Sequence, residues 1–290
     1  MTIFVSTGGV RNKSATFTAK QMIKHGITAV ELSGGAYEVD AELKVFSLDT
    51  DPLLKIQIHN YYPPPKIPFV LNLASEEPLV LADSIAHAKK AIRLASKISN
   101  KNVSFHAGFL FNPLPSELGK HMNIKSLLNR SVGFEIFCNS IRLLDDFAAK
   151  LQVQILVENN VLTVPNFEKF NKSPLLLCDP EEIIKFFSSV PDRVGLLLDV
   201  GHLKVSANTL GFDAISALVE LAPYVQGYHL SDNDGIADTN KRINSKSWFW
   251  KHLKRHAEFY TLEVYGLNET ELLSQIQITK KIICRENGKT

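Results

Sequence analysis

Eight short apolar or β-branched runs, separated by polar loops and helix-periodic segments, constrain this sequence more than any other feature. They are Ile3–Ser6, Ala29–Leu32, Lys55–His59, Asn102–His106, Val153–Glu158, Val194–Asp199, Val225–Leu230 and Tyr260–Val264. Apolar runs this short that alternate with helices are how a parallel sheet covered by helices reads in sequence. Some of the helices are legible too. Between Leu81 and Ser99, Ile85, Ala88, Ile92 and Ala95 recur at helical spacing, while Asp83, Lys89, Lys90 and Arg93 take other faces. Leu272, Ile276 and Ile283, with Lys280 and Lys281, predict a closing amphipathic helix, and Ser188-Ser189-Val190-Pro191 reads as the exit of another.

Eight strands alternating with helices suit an α/β chain folded as a (β/α)8 TIM barrel, a fold of about 250 residues. An open doubly wound sheet is the competing arrangement. It should carry a Gly-rich phosphate loop after its first strand, and Gly8-Gly9-Val10-Arg11 is not that fingerprint. Nothing reads as a linker: Pro63-Pro64-Pro65 is too short and is bounded by apolar sequence. A single domain over residues 1–290 is expected.

Composition closes off several classes of function. The 45% apolar and 21% charged residues are those of an ordinary globular protein. Thirty-two basic against 30 acidic residues, a net charge of +2, argue against a strongly basic nucleic-acid binder or a polybasic membrane-surface protein. Cys138, Cys178 and Cys284 lie far apart, which supports neither a disulfide framework nor a cysteine zinc site. The N-terminal stretch lacks the pattern of a secretory signal, and no apolar run is long enough to span a bilayer. A cytoplasmic location is the expectation.

The polar residues are informative by position. The third run ends at His59, the fourth at His106, the fifth at Glu158 and the sixth at Asp199, with His202 just after it. The seventh contains His229 and is followed by Asp232, and the eighth contains Glu263. In a parallel barrel all strand C-termini open on one face, so residues scattered along the chain converge there. Carboxylates and imidazoles without thiolates suit a divalent ion such as Zn²⁺, Mn²⁺, Co²⁺ or Mg²⁺. A cation would also let Glu158, Asp199 and Glu263 face one another without forcing a proton onto one of them. One histidine at a strand end is usually structural; six polar ends in one alternating pattern are not. His25, His87, His121, His252 and His256 fall in helices or loops and read as surface or packing residues. Trp248 and Trp250 suit either a lid over the pocket or the packed start of a seventh helix.

Four segments resemble the metal-binding strand ends of xylose isomerase-like TIM barrels. They are Val157-Glu158-Asn159-Asn160, Leu198-Asp199-Val200-Gly201-His202, Tyr228-His229-Leu230-Ser231-Asp232-Asn233-Asp234-Gly235 and Leu262-Glu263-Val264. That superfamily holds sugar and sugar-phosphate isomerases and epimerases, related dehydratases and endonuclease IV. The resemblance to the epimerase branch implies that Glu158, Asp199, His229 and Glu263 bind one divalent metal. It implies further that Glu158 and Glu263 exchange protons with the substrate. A metal on the oxygens of an α-hydroxy ketone or aldehyde stabilises the enediolate left when the adjacent proton departs. Return of the proton on the other side gives an epimer, and return at the neighbouring carbon an isomer. His202 matches a substrate contact of that branch, and Lys204 is a candidate charge for a phosphate or carboxylate.

His59 and His106 resemble positions of endonuclease IV that bind an additional zinc. The resemblance implies that with His202 and Asp238 they form a further metal site, or else contact substrate. Endonuclease IV should carry a histidine two residues after Asp238, and this chain has Asn240. Arg-rich, aromatic-bearing loops for gripping DNA are also missing. The expectation is therefore a small sugar or sugar phosphate as partner, with a phosphodiester hydrolase as the alternative and a non-catalytic binding barrel as a third. Oligomeric state is left open. The segments 107–122, 159–175 and 232–247, with the Pro63-Pro64-Pro65 loop, are expected to shape the pocket.

Overall fold

A computed structural model describes residues 1–10, 12–117 and 126–287 of the chain, with side chains to residue 284. Eight parallel strands close into a barrel in sequence order. They are β1 (Thr2–Ser6), β2 (Ala29–Ser33), β3 (Lys55–His59), β4 (Asn102–His106), β5 (Gln154–Glu158), β6 (Gly195–Asp199), β7 (Val225–Leu230) and β8 (Phe259–Leu262). The helices are α1 (Ala15–Lys24), α2 (Ala41–Asp49), α3 (Pro78–Ala95), α4 (Arg130–Ala149), α5 (Val164–Phe170), α6 (Pro180–Phe187), α7 (Val200–Leu210), α8 (Ala214–Leu221) and α9 (Glu269–Asn287). Every expected strand forms, within two residues of its expected bounds. Among the described residues no helix is long and apolar enough to cross a membrane.

Three connections depart from one helix per strand. Pairs of helices follow both β5 and β6, and no α-helix stands between β7 and β8 among the described residues. Of the two readings of the Trp248–Trp250 segment, the start of an α-helix is therefore not what forms. The segment leads into a 3₁₀ turn at Trp250–His252, with the Trp250 ring buried and its indole donating to the Asn244 carbonyl. His87 is buried in α3, His25 and His256 are exposed and His252 is half-buried, while His121 lies outside the described residues.

The strands alternate side chains between the barrel interior and the helical layer. The outward set, including Val30, Ile56, Ile58, Val103, Phe105, Ile155 and Val157, packs with the helices into the main core. Phe4, Ala29, Leu156, Leu197 and Phe259 form a separate apolar plug. Gly227 makes room for it: a Cβ there would lie 2.3 Å from the Phe259 ring. Two residues further along the same inward row come Glu31, Gln57, Ser104 and Thr261, all buried and polar. Two further again come His59, His106 and Glu263, while Glu158, Asp199 and His229 stand two residues beyond Leu156, Leu197 and Gly227. The barrel interior thus grades from apolar to ionisable along its axis.

Candidate metal centre

The sharpest piece of local architecture is the junction of β6 and α7. Asp199 ends the strand and is also the N-cap of the helix, accepting from His202 N–H at 2.7 Å through Oδ1. No loop intervenes, so His202 stands in the first helical turn directly above Asp199. The other oxygen, Oδ2, is buried without a hydrogen-bond partner among the described residues. Asn159 locks this junction to β5: its side chain accepts from Asp199 N–H at 2.8 Å and donates to the Asp199 carbonyl at 3.1 Å.

Glu158, Asp199, His229 and Glu263 each offer a ligand atom, and these atoms lie within 4.8 Å of one another. All four side chains are buried. His229 Nδ1 lies 3.1 Å from Glu158 Oε1, 3.8 Å from Asp199 Oδ2 and 3.6 Å from Glu263 Oε2. Among the described residues, Nδ1 of His229 and both oxygens of Glu158 nonetheless make no hydrogen bond. Buried polar atoms without partners are costly, and four of them pointing into one small space fit a cation shared between them. The donor set, three carboxylates and one imidazole, suits a divalent ion.

His202 and His59 each commit one ring nitrogen to a neighbour and turn the other toward carboxylates. His202 Nδ1 donates to the Asn159 carbonyl at 2.9 Å, leaving Nε2 at 3.3 Å from Asp238 Oδ2 and 3.9 Å from Asp199 Oδ2. His59 Nδ1 is 2.8 Å from Ser104 Oγ, leaving Nε2 at 3.4 Å from Glu158 Oε2. His106 Nδ1 lies 3.3 Å from the same oxygen. His59, His106 and Glu158 form a second group with ligand atoms within 4.8 Å of one another.

Charge is balanced locally. Burial pushes the Glu158 carboxyl up, but His106, His229 and His59 outweigh it and hold it well below its ordinary value. Burial likewise opposes ionisation of Glu263, and the His229 imidazole brings it down to about 2. Asp199 moves the other way: burial, with Asp238, Glu158 and Glu263 adding to it against His202, carries it to about 7. Burial disfavours charge on His202 and His229. The carboxylates around them prevail and hold both imidazoles well above their ordinary value.

Every strand-end residue singled out in the sequence stands at this centre. Lys204 does not offer a free charge. Its ammonium donates to Asp232 Oδ1 at 2.9 Å and to the Asn233 carbonyl, so it is spent on holding the β7–β8 connection. Asp232 is also paired through its backbone with Lys241, which folds the 232–247 segment back over the centre and brings Asp238 to His202. Asn240 is buried and its carbonyl accepts from Tyr265 N–H at 3.0 Å.

Four contributors escape the sequence reading. Glu31, on β2, meets His229 Nε2 at 3.1 Å. Asn159 fixes the β6–α7 junction. Ser6 and Tyr265 donate to Glu263 Oε1 at 3.2 Å and 3.3 Å. The Tyr265 side chain covers the Gly8-Gly9 turn, where a Cβ on Gly8 would come within 2.7 Å of its hydroxyl and one on Gly9 within 2.6 Å of its ring; that close approach explains the paired glycines. Glu31 had a readable signal, a carboxylate inside an apolar run.

The sequence model of the family described as Xylose isomerase-like TIM barrel matches residues 19–277. No curated protein matches the sequence. In fold the chain is similar to a D-tagatose 3-epimerase-like protein, with a TM-score of 0.73 at 16% identity over 100% of this chain and 99% of that one. It is also similar to a D-psicose 3-epimerase from Clostridium cellulolyticum H10 solved with D-tagatose, with a TM-score of 0.65 at 13% identity over 99% and 96% of the two chains. A ZnCl2-soaked protein from Thermus thermophilus gives a TM-score of 0.63 at 18% identity over 97% and 99%.

Proposed function

The chain belongs to the xylose isomerase-like TIM barrel family, and from that premise we propose that it is a divalent-metal-dependent sugar or sugar-phosphate isomerase or epimerase acting in the cytoplasm. The observation that carries this reading is the buried group Glu158, Asp199, His229 and Glu263, with its unpartnered ligand atoms at the strand C-termini. The 3-epimerases among its fold neighbours support it.

When bound, the ion would supply Lewis-acid stabilisation of the charge that collects on substrate oxygens as a neighbouring C–H proton leaves. The protein's residues do the rest. Glu158 and Glu263 come from β5 and from just beyond β8, so they approach the pocket from different sides, one to take a proton and the other to return it. Ser6 and Tyr265 hold Oε1 of Glu263, which leaves Oε2 on the side of His229. His202, His106 and His59 line the same centre and would bind substrate oxygens. The test is exchange of substrate C–H hydrogen with D2O by metal-loaded protein across ketopentoses, ketohexoses and their phosphates. Glu263→Gln should lower exchange by about a hundredfold or more while leaving the circular dichroism spectrum intact. Undiminished exchange in that variant sinks the mechanism.

One observation favours a second reading, a hydrolase of the endonuclease IV type: His59 and His106 join Glu158 in a group able to hold another ion, and Asp238 stands beside His202. Asn240 counts against a full cluster, because an amide oxygen is a poorer zinc ligand than imidazole. Incision of an abasic-site duplex with no hydrogen exchange on sugars would select this reading. Protein that binds no metal and does neither would be the binding barrel.

A further inference from the structure

Below the centre, an ordered chain of hydrogen bonds runs down the barrel interior. Asn100 Nδ2 donates to Gln57 Oε1 at 3.1 Å, which fixes the amide so that its Nε2 faces Glu31. Gln57 Nε2 then donates to Glu31 Oε2, and Thr261 Oγ1 donates to the same oxygen at 3.1 Å. Glu31 is fully buried, and its carboxylate meets His229 Nε2 at 3.1 Å through Oε1 and 3.2 Å through Oε2. Gln57, Thr261 and His229 each turn a donor toward Glu31.

A carboxylate has only acceptor oxygens, so the His229 nitrogen facing it must carry the hydrogen. In the neutral ring that binding a cation requires, the proton kept on Nε2 leaves the lone pair on Nδ1, the nitrogen aimed at Glu158, Asp199 and Glu263. We propose that Glu31, held by Gln57 and Thr261, is a positioning residue that fixes the ring orientation and tautomer of His229 so that Nδ1 is presented to a divalent cation. This rests on the proposed metal centre and goes beyond it, since it assigns work to a β2 residue outside the ligand set. A partner on the far nitrogen of a ligating histidine is worth about 10–100-fold in metal affinity.

The experiment titrates Zn²⁺ into metal-stripped protein by calorimetry and reads the His229 tautomer by ¹⁵N–¹H NMR of the zinc-loaded form. Glu31→Gln puts an amide among donors and should weaken Zn²⁺ by about 10–100-fold, with the Nε2–H tautomer of His229 no longer dominant. Thr261→Val, nearly isosteric, removes one donor and should weaken Zn²⁺ by about fivefold even if the Glu31 variant fails to fold. A purely structural Glu31 would lower the melting temperature and leave the affinity of the folded protein and the His229 tautomer unchanged. That outcome, or wild-type affinity in Thr261→Val where Glu31→Gln does not fold, overturns the proposal. Wild-type protein that takes up no Zn²⁺ would overturn the metal centre itself and the proposal with it, so the two failures are distinguishable.

Discussion

The hydroxyl of Tyr265 lies 3.3 Å from Oε1 of Glu263, and Ser6 reaches the same oxygen at 3.2 Å. One oxygen of this glutamate is thus tethered and the other, Oε2, faces the His229 side of the centre. Tyr265 is positioned by packing on glycine, so its ring stays in place when its hydroxyl is lost. Tyr265→Phe should therefore keep the melting temperature and lower turnover by about fivefold, the worth of one hydrogen bond on a group that must be held still. Steady-state kinetics on the substrate found by hydrogen exchange checks it; unchanged kcat and KM would show the tether to be idle.

The barrel was legible in the sequence because its strands are buried on both sides and short. The alternation of apolar runs with helices admits few architectures, and all eight runs formed strands in sequence order. The residues that converge on the centre were legible for a related reason: an ionisable residue at the end of an apolar run has few structural uses. What stayed hidden depends on side-chain direction. Glu31 sits mid-run, and only the register of β2 beside β3, which pairs Glu31 with Gln57, shows that it faces inward. Lys204 looked free because nothing in the sequence says that the 232–247 segment folds back to supply Asp232. Tyr265 and Asn159 act through contacts between distant loops, which spacing does not encode.

A clamp of side chains lies at the N-terminal ends of α4 and α6, beside the β4 exit. Arg130, at the start of α4, grips Glu182 of α6 with two parallel bonds of 2.7 Å and also donates to the carbonyls of Ser173 and Leu175. Glu182 in turn accepts from Leu177 N–H at 2.6 Å. The loop from Ser173 to Leu177 meets the β4 exit, with Leu176 N–H bonded to the Gly108 carbonyl. Arg130→Met leaves Glu182 and two carbonyls without their donor, and should cost about 2 kcal/mol of stability. Arg130→Lys should recover little, because an ammonium does not reproduce the planar fork. Urea denaturation measures both, and full rescue by lysine would reduce the clamp to simple charge pairing.

The three cysteines should differ sharply in reactivity. Burial pushes the Cys138 thiol up to about 11 and the Cys178 thiol up to about 12, so neither supplies thiolate at neutral pH, whereas Cys284 on α9 is exposed. Native protein at pH 8 should release one equivalent of thionitrobenzoate from Ellman's reagent, and none after Cys284→Ser. Denatured wild-type protein should release three equivalents. A second fast thiol in the native protein would mean that one of the two buried sites opens readily.

His87 makes stability depend on pH in a predictable sense. It is buried in α3, with its ring 5.1 Å from that of Tyr61 and 5.6 Å from that of Phe69. Burial lowers its pKa below the ordinary 6.5; the Tyr61 carbonyl opposes this and Lys90 adds to it. The unfolded chain therefore takes up a proton on His87 at a higher pH than the folded protein does. The stability tied to neutral His87 is complete above about pH 6.5. It is lost as pH falls from there toward the folded pKa, by at most about 1.4 kcal/mol per pH unit. Comparing wild type with His87→Gln removes every other titration common to both. The wild-type advantage in urea midpoint should be largest at pH 8 and shrink steadily toward pH 5. An advantage that stays constant across that range, or grows as pH falls, would show that His87 is protonated as readily in the folded protein as in the unfolded chain.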